Sequence, residues 1–179
     1  MLDALLTSLD LARRQTINLC ADLSEQQMTL EPHAGMNNPA WTLGHLFLLD
    51  AYLADLLSCA SAPRLDERWM AAYGPGSSPS LTGPAESKSE YLDRLEKVRS
   101  VLIAGLAQFT DEHLRGENPD ATTRATLPTL EHLLHYLLWH EAYHAGELSA
   151  WRRTLGLPMV GVTFLDAPAR SRAETGSRG

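Results

Sequence analysis

WHEAYHAGEL, residues 139–148, sets His140 and His144 four positions apart with Glu141 directly after the first histidine. A helix advances about 100° per residue, so the two imidazoles differ by about 40° and share one face. His-Glu-x-x-His on a helix is also a zinc-protease signature, in which the glutamate acts as base for a metal-bound water. Such proteases place the motif helix beside a sheet, whereas no segment of this chain shows the period-two alternation of a convincing strand. The longer form His-Glu-x-x-His-x-x-Gly-x-x-His fails too, because Glu147 and Ala150 stand where it needs other residues and no histidine follows His144. The stretch therefore reads as a metal-binding face inside an all-α protein.

Working outward, the helix that carries it starts near Pro128 and runs to about Leu155, where Gly156 and Pro158 stop it. A first helix is written by Leu2, Leu5, Leu6, Leu9, Ile17 and Leu19, with Arg13, Arg14 and Asn18 assigned to its outer side. In the second, Asn38 supplies a capping side chain and Pro39 fills the first helical position, ahead of WTLGHLFLLDAYLADLL. The third extends from about Glu86 to Phe109 on a stripe of Leu92, Leu95, Val98, Leu102 and Leu106. Between the second and third, residues 62–84 are rich in Gly, Pro and Ser and read as a long surface connection able to wall a site. TDEHL, residues 110–114, is a short extra helical turn. The expected architecture is an all-α four-helix bundle with long connections. It forms a single domain over residues 1–165, followed by a disordered tail over 166–179 that has too few apolar groups to fold.

A chain of 179 residues with formal charge -7 suits one domain and argues against a nucleic-acid partner, whose phosphates demand Lys and Arg. The two cysteines, Cys20 and Cys59, each lie alone in an apolar segment and are expected to be buried thiols rather than a disulfide. The N-terminus lacks a signal-peptide pattern, and no apolar run approaches the roughly 20 residues of a membrane span. The expectation is a cytoplasmic protein with a small-molecule partner and no membrane or nucleic-acid contact.

On the second helix His45 aligns with Asn38, Trp41, Leu49 and Tyr52 in what reads as an inward apolar stripe, where an imidazole needs a partner. A metal shared with His140 and His144 would supply one; a core hydrogen bond is the alternative. Gly44 beside it would let a neighbouring element approach closely. His33, His113, His132 and His135 fall in loops or away from the shared face and are assigned ordinary local roles. Trp41, Tyr52, Trp139 and Tyr143 are read as packing residues, as helical aromatics usually are. Glu141 and Glu147 are candidate bases or hydrogen-bond partners of the histidines.

NNPAWTLGHL (37–46), YGPGSSP (73–79) and LPTLEHLLHYLLWHEAYHAGELSAWRRTLGLP (127–158) resemble the DinB/YfiT-like family of small metal-binding four-helix proteins. The likeness extends over roughly residues 1 to 160. It implies a three-histidine site, mapping onto His45, His140 and His144, that holds one divalent transition metal, zinc or nickel in first place. Glu147 stands where the family often has glutamine. Members characterised as enzymes use low-molecular-weight thiols, so the resemblance implies a metal-dependent thiol S-transferase acting on a small electrophile, and a homodimer. Three imidazoles leave an open coordination position, which equally suits a metal-dependent hydrolase. A non-catalytic, metal-stabilised binding module stays open beside both.

Overall fold

The computed structural model describes residues 1–79 and 86–161. Residues 80–84 of the long connection and the expected disordered tail lie outside the described residues. Within them the chain forms α1 (Leu2–Ala21), α2 (Glu25–Met28), α3 (Pro39–Leu56), α4 (Glu67–Tyr73), α5 (Lys88–Leu106), α6 (Asp111–Arg115) and α7 (Leu130–Thr154). The four long helices are those expected from periodicity, with ends shifted by up to three residues, and α6 is the extra turn. No strand occurs among the described residues.

The caps explain where the helices start. Asn38 Oδ1 accepts from the Trp41 backbone N–H at 2.9 Å, with Pro39 in the first turn, as the sequence indicates. Ser87 and Glu90 form a reciprocal capping box at the head of α5. Two short helices were not expected. Ser24 and Gln27 cap α2 reciprocally, and Asp66 caps α4 inside the segment read as irregular connection.

α3 packs mainly on α5, and α1 on α7. One apolar cluster gathers Leu43, Leu46, Phe47, Leu95 and Trp151, and a second gathers Leu9, Leu53, Leu102, Leu134 and Leu137 towards the other end. Residues 38–48 are buried without interruption, so α3 is a central helix rather than an amphipathic one. Cys20 and Cys59 are buried free thiols, and burial pushes Cys20 up to about 12.

The centre of the bundle is charged. Arg13 Nε and Nη2 donate to the two oxygens of Glu141 at 2.8 Å each, and Arg99 Nε and Nη2 donate to the two oxygens of Asp50 at 2.8 and 2.9 Å. Arg99 Nη2 also reaches Glu141 at 2.7 Å, and Arg13 Nη2 reaches Asp50 at 3.1 Å. Each of α1, α3, α5 and α7 contributes one member, and two cations balance two carboxylates. All four are nearly inaccessible, so Arg13, expected on the outer side of its helix, is in fact central. Its position four residues after Leu9 continues the apolar stripe, and its charge is tolerated there because each of its three guanidinium nitrogens has an acceptor.

Candidate metal centre

α3 and α7 run past each other so that His45, His140 and His144 converge, each offering one ligand atom within 4.8 Å of the other two. His140 Nε2 lies 3.2 Å from His45 Nε2 and 3.3 Å from His144 Nε2. His45 and His144 are buried, and His140 is half-buried.

The surrounding hydrogen bonds aim these atoms. Tyr73 at the end of α4 presents its carbonyl oxygen 2.7 Å from His45 Nδ1. A carbonyl only accepts, so Nδ1 carries the proton and Nε2 of the neutral ring is a lone pair. Glu147 Oε2 stands 2.7 Å from His144 Nδ1 and fixes that ring in the same sense. Asn37 donates to the same carboxylate oxygen at 3.2 Å. Two lone pairs thus point at His140 Nε2, which has at most one proton to give, while the buried His140 Nδ1 has no hydrogen-bond partner. Burial, then His144 and His45, hold His140 down to about 3; burial also lowers His45, against the opposing pull of the Tyr73 carbonyl. Protonation is therefore not the remedy for the crowding.

A cation is a remedy. Zinc–imidazole bonds of about 2.0–2.1 Å imply a nitrogen–nitrogen edge of about 3.3 Å in a tetrahedral set. The two distances of 3.2 and 3.3 Å match that edge, so the residues present fit a divalent transition metal.

Gly44 explains how α4 comes close enough to orient His45. A Cβ built there would stand 2.3 Å from Cδ1 of the Tyr73 ring, so only glycine admits that ring. Tyr73 is pinned in turn by its hydroxyl, 2.6 Å from that of Tyr91. Trp41 stacks on His45 with centroids 4.7 Å apart and donates from Nε1 to Ser77 Oγ at 2.9 Å. Asn38 Nδ2 donates to the Pro79 carbonyl at 2.8 Å, so the YGPGSSP loop is tied to α3 at both points and forms one wall of the site.

All three histidines line a cavity of about 650 Å³, together with Trp41, Tyr52 and Tyr143. The stripe expected to face the core thus faces this cavity: Tyr52 is 38% exposed, and on α7 Trp139 and Tyr143 are 59% and 52% exposed. Tyr52, Trp139 and Tyr143 correct the expectation that they pack inside, whereas Trp41 is buried as expected.

Of the two candidate acids, Glu147 lines the cavity and touches His144. Glu141 points the other way, fully buried, with both oxygens held by Arg13, Arg99 and Thr16. Burial pushes its carboxyl up, but the two guanidiniums outweigh that and hold it down to about 2. It has neither access to the cavity nor proton affinity for a neutral-pH base, so its role is structural. His132 and His113 bond to the capping hydroxyls of Thr129 and Thr110, the local roles expected of them.

A family model described as the DinB superfamily matches residues 8–148, a span that holds all three histidines and Glu147. No curated protein matches the chain.

Proposed function

The chain belongs to the DinB superfamily, and from that premise we propose that His45, His140 and His144 hold one divalent transition metal ion, zinc or nickel in first place, for a thiol S-transferase acting on a small electrophile. The observation that carries the reading is the convergence of three Nε2 atoms at the floor of a cavity large enough for an organic substrate. A metal bound there lowers the pKa of a coordinated thiol, making thiolate available at neutral pH.

The chain's own groups supply the rest. Glu147, at the cavity wall, accepts the thiol proton while keeping His144 oriented. Trp41, stacked on His45, covers one side of the site. The sulfur then forms a bond to the electrophilic carbon as the carbon–leaving-group bond breaks, and the leaving group departs with the electron pair. A strained ring opens in the same way, and its oxygen takes the proton back from Glu147.

The test is spectroscopic. Cobalt-substituted protein should develop a sulfur-to-metal charge-transfer band on addition of a small thiol, and His144→Ala should abolish it. A protein that turns over substrate without thiol and never shows the band would be a hydrolase; one that does neither would be a binding module.

The reading extends to surroundings. The buried free thiols support a reducing compartment, and so a cytoplasmic location. Among the described residues no helix is long and apolar enough to cross a membrane. The exposed Trp139 on α7, which lies outside the cavity lining, supports homodimerisation by offering apolar surface to bury. A concentration-independent monomer in light scattering would refute the dimer.

A further inference from the structure

We infer that the cavity takes a ligand with one monoanionic metal-binding head and an uncharged aromatic body, and discriminates against bodies that carry further carboxylates or phosphates. The inference rests on the metal-centre reading above and names the substrate class of that same site.

Three observations carry it. The walls around the histidines are aromatic and apolar: Trp41 and Leu48 from α3, Met70 from α4, and Tyr136 and Tyr143 from α7. Met70, Tyr136 and Tyr143 are 49%, 36% and 52% exposed, large side chains left to solvent around a concavity rather than scattered singly. Such faces recognise a flat apolar body by offset stacking and edge contacts.

The charge at the site sets the head. Among the described residues Glu147 is the lining group with a full charge, and no Lys or Arg lines the cavity. Three neutral imidazoles leave a dication one open position, which a single thiolate or hydroxamate head fills. A second anionic group on the ligand's body would lie against aromatic walls near Glu147 with no cation to meet it, losing hydration without compensation. The volume of about 650 Å³ falls within the range of pockets that enclose drug-sized molecules, so the body has room to be recognised rather than left outside.

Zinc-loaded full-length protein tests this by calorimetry with two matched pairs of probes: benzohydroxamate against acetohydroxamate, and benzyl mercaptan against mercaptosuccinate. The aromatic probe should bind at least tenfold tighter in each pair. A Met70→Ala, Tyr136→Ala double variant should lose that preference while retaining its zinc, since both side chains are exposed and neither is a metal ligand. Met70→Arg should raise mercaptosuccinate affinity at least tenfold by placing a cation on the wall. Equal affinities within the hydroxamate pair, or tighter binding of mercaptosuccinate than of benzyl mercaptan, would overturn the inference. Aromatic preference among hydroxamates with no thiol binding at all would uphold the aromatic body and sink the S-transfer reading, so the two fail separately.

Discussion

Glu141 and Glu147 lie on one helix and were equal candidates from spacing alone; their surroundings separate them. Glu141 answers two arginines in the dry centre of the bundle, where removing one partner leaves an uncompensated buried charge at a cost of about 3–5 kcal/mol. Glu141→Gln should therefore lower the urea midpoint strongly, while the fraction that stays folded at low temperature retains its metal. Glu147→Gln should change stability by less than about 1 kcal/mol, since its side chain is 31% exposed. It should nonetheless weaken metal binding about 10–100-fold, because the hydrogen bond that orients His144 is altered. If Glu147→Gln bound metal like the parent, its orienting role would be wrong. The Glu141 carboxyl also gives the stability a pH dependence. Its folded value of about 2 lies below the unfolded value of about 4.3, so the stabilisation is complete above the higher value. It is lost as pH falls through the window down to about 2. Metal-free protein followed by circular dichroism should accordingly unfold on acidification within that window, and Glu141→Gln should flatten the dependence. The acid network was legible in principle. Arg13 follows Leu9 by four, Arg99 follows Leu95 by four, Asp50 lies between Leu46 and Leu53, and Glu141 follows Leu137 by four. A charge at a stripe position of every long helix signals mutual pairing, but a single helix viewed alone suggests only an outward-facing residue.

Element boundaries followed from local chemistry wherever caps and breakers were strong, as at Asn38-Pro39 and Gly156. α4 escaped because it is only seven residues long, Glu67–Tyr73, and sits in a Pro- and Gly-rich segment where periodicity has no room to develop. Its Asp66 cap was the available signal. That short helix matters more than its length suggests, since its last residue orients His45 and its ring fills the notch at Gly44. Gly44→Ala sets two effects against each other. Alanine gains about 1 kcal/mol of helix propensity, but a methyl 2.3 Å from a ring that is pinned through Tyr91 cannot be accommodated in place. Overpacking of this kind costs about 1–3 kcal/mol, so the steric effect wins. α4 should move off α3, with net destabilisation and a loss of metal affinity that exceeds what the stability change explains. An Ala variant as stable and as metal-competent as the parent would show that the ring has another place to go.

At the scale of the molecule, the two best-packed pairs, α3 with α5 and α1 with α7, are joined across the middle by the charge network and at the cavity end by the three histidines. α3 and α7 touch each other far less than either touches its main partner, so the histidine cluster spans a weakly packed seam. A metal held there would act as a cross-link between the pairs and would bind only the folded state, because the unfolded chain does not bring position 45 near 140 and 144. Free metal at a hundredfold over its dissociation constant then adds about 2.7 kcal/mol of stability. For a chain of this size, each kcal/mol shifts the melting temperature by about 2–4 °C, giving roughly 5–11 °C in total. Chelation, with metal removal verified by elemental analysis, should lower the melting temperature by that amount. It should also speed hydrogen exchange at the cavity ends of α3 and α7 before that of α1. His45→Ala, which disconnects α3, should melt at one temperature with or without chelator, whereas His132→Ala should keep the full shift. Identical melting curves for metal-free and metal-loaded parent protein would mean that no cross-link forms between the two helices.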